Sequence, residues 1–146
     1  MKTSILFVLL SLPVISFSCD CEGRGLKYDT NYEKYIIYGE VIEILDYKHE
    51  MSKIMSKITL SNDYPEKWGF YVKLSVLVDF KGTISESEII IVPDWSNCDY
   101  PFDLGARYFV FMDSDDNGNY TTSTCHSTFE DDEEDKKKEF YSILDN

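Results

Sequence analysis

Apolar and polar residues alternate most regularly across "WGFYVKLSVLVDFKG" (68–82). Phe70, Val72, Leu74, Val76 and Val78 fall on one face there, and Tyr71, Lys73, Ser75, Leu77 and Asp79 on the other. A period of two marks a half-buried strand. "YIIYGEVIEILDYKHEM" (35–51), rich in Ile, Val and Tyr, reads as one long strand in which Gly39 marks a bulge. "SKIMSKITLSNDYPEK" (52–67) reads as its extension into a hairpin that turns near "SNDYPE". "IIIVPD" (89–94) predicts a short buried strand ended by Pro93. "ARYFVFMD" (106–113) and "YTTSTC" (120–125) predict the last two strands. They are joined by "SDDNGN", whose Asn117-Gly118 pair accepts the positive φ of a tight hairpin turn.

Two segments read as helical. "DTNYEKY" (29–35) predicts a short helix ahead of the long strand. In "FEDDEEDKKKEFYSILDN" (129–146), acids precede bases, with Glu133–Lys137 and Glu134–Lys138 at i, i+4 and apolar Phe140, Tyr141 and Leu144 behind. That order suits the helix dipole and makes the charge run the solvated face of a C-terminal helix. Five strands without βαβ alternation predict a mainly β chain. The expected architecture is a five-stranded antiparallel barrel of the OB type with a short N-terminal helix and a C-terminal helix.

The N-terminus changes the picture. Lys2 supplies a positive start, "ILFVLLSLPVI" (5–15) is an apolar core, and Ser16 and Ser18 form a small-x-small cleavage site. This pattern predicts a secretory signal peptide over residues 1–18 and one mature domain over 19–146. The apolar run is shorter than the roughly 20 residues that span a bilayer. A formal charge of −13 becomes one unit more negative when the leader leaves with its lysine. Such a balance argues against nucleic acid, whose affinity rests on Lys and Arg displacing counterions. Eleven Tyr, nine Phe, two Trp and 43% hydrophobic residues exclude a disordered acidic chain.

Cleavage after Ser18 leaves Cys19 as the first residue, with Cys21, Cys98 and Cys125 beyond it. In an exported chain an even cysteine count reads as disulfides, and four cysteines allow three connectivities. A four-thiolate zinc site fits poorly, because structural sites pair ligands a few residues apart and Cys98 and Cys125 are not so paired. Loops of roughly 80 to 100 residues closed by disulfides each add on the order of 4 kcal/mol in the chain-entropy model. A cysteine directly after an apolar core also fits lipidation, although Ser16 stands where a lipobox prefers Leu. Membrane contact is expected only if Cys19 is lipidated.

Catalytic chemistry is thin. His49 and His126 read as surface or loop residues, and no nucleophile–base set stands out, so no enzyme activity and no cofactor are expected. "DSDDNG" places Asp113, Asp115 and Asn117 on the first half of a calcium-loop pattern, but its twelfth position is Thr124 instead of a bidentate Glu. An acidic hairpin tip is the expected reading, with room for weak calcium binding.

Taken in order, "CDC" (19–21), "YIIYGEVIEI" (35–44), "YVKLSVLVDFKG" (71–82), Cys98 in a loop, "LGARYFVFMDSDDNGNYTTSTC" (104–125) and a terminal helix resemble a known family. The likeness is to the N-terminal inhibitory domain of the tissue inhibitors of metalloproteinases, within the netrin-like group, and it spans nearly all of 19–146. The resemblance implies an OB barrel with Cys19 bridged to Cys98 and Cys21 to Cys125. It implies that the α-amino nitrogen and carbonyl oxygen of Cys19 chelate the catalytic zinc of a metalloproteinase, while Asp20 faces the protease's main specificity pocket. The chain departs from the family at Asp20, where members carry a small or hydroxyl side chain, and an unpaired carboxylate in an apolar pocket costs several kcal/mol. The proline usual after C-x-C, a third disulfide and a second domain are also missing. The alternative is a monomeric netrin-like binding module, extracellular or envelope-anchored, without inhibitory activity.

Overall fold

β-Branched and aromatic residues build the wall of the molecule. In the computed structural model, which describes residues 19, 21, 24–55, 70–93 and 98–145, the strands are β1 (Tyr35–Asp46), β2 (Phe70–Lys81), β3 (Glu88–Val92), β4 (Arg107–Ser114), β5 (Tyr120–Thr121) and β6 (Phe129–Glu130). The helices are α1 (Leu26–Tyr32), α2 (Tyr47–Met55) and α3 (Glu134–Leu144). The expected leader and most of the expected 52–67 hairpin lie outside the described residues. No helix among the described residues is long and apolar enough to cross a membrane.

β1 lies between β2 and β4, β2 continues to β3, and β5 joins β3 to β4, which closes a five-stranded ring. Four of its joints are antiparallel, but β3 and β5 run parallel through Ile91↔Tyr120 and Val92↔Thr121. The expected all-antiparallel barrel is corrected here, and the reason is parity. Each antiparallel joint reverses strand direction, so five reversals around a closed ring cannot return to the starting direction. One parallel joint resolves the conflict. β6 pairs with β4 outside the ring through Tyr108↔Glu130 and Phe109↔Phe129.

Alternation along β4 explains why five consecutive residues are buried. Tyr108, Val110 and Met112 point into the barrel with Ile37, Val41, Val72, Leu74, Ile89 and Ile91. Phe109 and Phe111 point out, under α1 and α3, where they meet Leu26, Ile36, Phe129 and Phe140. A strand covered on both faces reads as a continuous apolar run. Phe109 stacks on Phe129 at 4.8 Å between ring centroids and meets Phe140 edge-on at 5.3 Å.

β2 keeps its expected alternation only in the middle. Val72 and Leu74 are buried and Val76 packs on the barrel core, but Phe70 and Val78 are exposed and Tyr71, on the expected polar face, is fully buried. Between Tyr38↔Val78 and Gly39↔Val76 the register skips Leu77. A one-residue slip turns following side chains to the other face. Phe80 therefore packs outside the barrel, 5.1 Å from the Phe140 ring. Gly39 sits at this slip, as its sequence position suggests, and a Cβ there would lie 2.9 Å from the Ser75 carbonyl oxygen.

Three boundaries differ from expectation. The long first strand stops at Asp46, and α2 follows with an interruption at Glu50. Glu50 accepts the Asp46 N–H at 3.2 Å, Lys53 reaches both Glu50 and Glu43, and Ile54 is buried with Leu45, Tyr71, Ile90 and Val92. The Ile54 anchor and local polar bonding outweigh the strand-like composition. α1 starts three residues earlier than expected because Leu26 is its buried anchor, while Tyr35 already belongs to β1. In α3, Lys136 pairs with Glu133 and Lys137 with Glu134, both at i, i+3, so the expected i, i+4 pairs are not the ion pairs formed.

Candidate functional site

Cys19 and Cys21 sit against one edge of the barrel. Cys19 is bonded to Cys98 and Cys21 to Cys125, with Cα separations of 5.5 and 5.0 Å. This is the pairing that the resemblance implies, chosen from three that spacing left open. The two distant ends are themselves joined: the Cys98 carbonyl accepts the Thr124 N–H at 2.7 Å and the Thr124 hydroxyl at 3.2 Å. Residues 19 and 21 are thus fixed to two neighbouring points. A sulfur bonded to Cys98 cannot also carry a thioether lipid. Asp20 lies outside the described residues.

β5 was expected to run to Cys125 but ends at Thr121, because the chain then turns back under β4. Thr122 donates its hydroxyl to the Phe111 carbonyl at 2.7 Å, and the Phe111 N–H donates to the Thr128 hydroxyl at 3.0 Å. Two buried hydroxyls occupy these Phe111 backbone groups beside the β4–β6 ladder. Ser127, between them, donates from its N–H at 2.7 Å and its hydroxyl at 2.6 Å to Oδ2 of Asp29 on α1.

A carboxyl group is thereby buried between α1 and the 125–128 run. Asp29 is 0% exposed and Glu33, one turn on, is 5% exposed. Burial pushes the Glu33 carboxyl up from its ordinary value; His126 opposes the rise, Asp29 and Asp113 add to it, and Arg24 opposes it. His126 Nε2 lies 3.8 Å and Arg24 3.7 Å from Glu33 Oε1. His126 lies in a loop, as expected of a surface or loop residue, with its side chain largely buried there, whereas His49 is exposed beside Asp46. Sequence reasoning missed this group, since Asp29 and Ser127 are 98 residues apart.

Beside Cys98 a groove of about 480 Å³ opens at the barrel mouth, lined by Ile44, Phe70, Val72, Tyr100, Pro101 and Phe102. Tyr100 contributes a phenol that burial pushes up to about 12, so it presents a protonated hydroxyl at neutral pH. On the other side of Tyr100 a cavity of about 530 Å³ is lined by Gly25, Leu26, Thr124, His126 and Lys136.

No protein-family model and no curated protein matches this chain. Its residues and geometry therefore carry the functional reading.

The calcium-like segment is a closed turn. Asp115 Oδ1 accepts the N–H groups of Asn117 and Asn119 at 2.9 and 2.8 Å, and Oδ2 accepts the Asn119 side-chain amide at 2.9 Å. Asp113 Oδ1 accepts the Ser114 N–H at 2.7 Å. Donors that would have to turn away from a cation thus face both acids. Among the described residues no three His, Cys, Asp or Glu side chains converge on a metal-sized space. Strands β4 and β5 pair up to Ser114↔Tyr120, so the loop between them holds five residues, within the expected "SDDNGN" turn.

Proposed function

We propose that the chain is an exported inhibitor of zinc metalloproteinases built on an OB-type barrel. The observation that supports this most is the double tether of Cys19 and Cys21 to the adjacent points Cys98 and Cys125. A terminal residue held in this way loses little freedom on binding, which favours insertion of a rigid wedge. With the leader removed, the Cys19 amine and carbonyl would close a five-membered chelate ring on the protease's zinc. They would take the open position where the attacking water sits. Asp20 is the residue that would enter the specificity pocket, and Cys21 braces the segment. The ring order and the single parallel joint support the OB assignment. Two disulfides are compatible with an extracellular location.

Inhibition of a panel of zinc metalloproteinases by protein beginning at Cys19, set beside protein extended by one N-terminal Ala, tests the reading. The native form is expected to inhibit and the extended form to lose inhibition, because acylation removes the amine's basicity. Asp20→Thr is expected to tighten inhibition by at least tenfold, since an unpaired carboxylate no longer enters an apolar pocket. Equal inhibition by native and extended forms would overturn the chelation step. Absence of inhibition throughout would leave the netrin-like binding module.

A further inference from the structure

Four consecutive residues tie separate parts of the chain together, each with a different chemistry. Cys125 bonds Cys21, His126 faces Glu33, Ser127 holds Asp29, and Thr128 accepts the Phe111 N–H of β4. Three of the four contacts reach the N-terminal segment or α1. The fourth fixes the run to the barrel wall.

The charges around this run do not balance. Glu33 is faced by Asp29 from its own helix, Asp113 from β4, Arg24 from the preceding segment and His126 from the 125–128 run. Lys81 of β2 donates to the Thr30 and Asn31 carbonyls at this same C-terminal end of α1. Asp29 and Asp113 oppose ionisation of Glu33, while Arg24, whose side chain is 43% exposed, favours it from 3.7 Å away. Asp29 Oδ1 is buried with no hydrogen-bond partner, while Oδ2 accepts both Ser127 donors. Burying like charges together raises the cost of ionising each of them. A proton on Glu33 removes one buried negative charge from this group, 3.8 Å from His126 Nε2.

We propose that Glu33 is the core of a proton-linked clasp: a proton on its buried carboxyl, which faces His126, locks α1 and the disulfide-tethered segment before it onto residues 125–128, and losing that proton loosens them. The direction follows from linkage. The docked Glu33 carboxyl is raised above its ordinary 4.5, so docking takes up a proton. The stabilisation is complete below the ordinary value and disappears as pH rises through the raised one. α1 is therefore held more firmly in mildly acidic than in alkaline solution. This device stands apart from the inhibitor reading, because its readout is the attachment of α1 and not inhibition.

Amide hydrogen exchange on the disulfide-bonded protein between pH 4 and 8, corrected for intrinsic rates, tests the clasp. The reporters are the Ser127 and Glu33 amides, which donate to Asp29 Oδ2 and to the Asp29 carbonyl. Their protection is expected to fall as pH rises, by up to about tenfold per pH unit for one linked proton. Amides inside the barrel, such as Val110, are expected to stay flat. Glu33→Gln is expected to abolish the slope and keep both reporters well protected at pH 8. A flat wild-type profile, or the wild-type slope surviving in Glu33→Gln, would overturn the proposal. If that variant does not fold, the Glu33 carboxyl carbon followed by NMR in the wild type decides. Titration above 4.5 supports the clasp, and titration at or below 4.5 rejects it.

Discussion

The barrel interior and the 125–128 clasp hold the molecule together by opposite means. Inside the ring, Ile37, Val41, Leu74, Ile91 and Val110 exclude water from one another, and strand pairing satisfies the backbone. Under α1, a disulfide, buried hydroxyls and two carboxyl groups make the attachment. Apolar contacts are tolerant of direction and insensitive to pH; polar ones require each partner in place and follow its protonation. A uniform core would give a uniformly stable molecule. The contrast instead separates a permanent scaffold from an attachment whose strength depends on conditions.

Three substitutions break or sharpen that contrast. Leu74→Ala, in the fully buried interior, is expected to lower global stability by about 2–5 kcal/mol, read as a shift in the denaturant midpoint. The clasp should follow the barrel passively there, with the pH slope of its exchange unchanged. Thr128→Val keeps the shape and removes the hydroxyl, which strands the Phe111 N–H. A loss of about 1–3 kcal/mol is expected, concentrated in faster exchange around residues 125–129. Gly118→Ala touches neither region: φ is 81° and no atom lies within 4 Å of the added Cβ, so only backbone strain of about 1 kcal/mol is expected. A Gly118→Ala effect as large as that of Thr128→Val would mean that the β4–β5 turn belongs to the clasp.

The scaffold was far more legible in the sequence than the attachment. β4 is found where "ARYFVFMD" predicts it, because five apolar residues in a row have few alternatives. Pro93 and Gly118 likewise mark real boundaries. α2 was hidden, since Tyr47–Met55 has only Ile54 as a described buried anchor and follows a strand without a breaking residue. The parallel joint could have been deduced by counting, as an odd closed ring demands one. Asp29 and Glu33 resembled any acids on a solvated helix. Their burial is created by Ser127 and His126, which lie nearly a hundred positions away and carry no local signal. The cysteines announced that bonds exist but not which ones, because connectivity is a property of where strands bring the chain.

The two disulfides enclose overlapping rings, from Cys19 to Cys98 and from Cys21 to Cys125. Any single cut of the backbone between Cys21 and Cys98 leaves both pieces joined by both bonds. The chain could thus be nicked at any one bond of that stretch and still keep Cys19 fastened to Cys98. Covalent continuity here does not depend on the main chain alone.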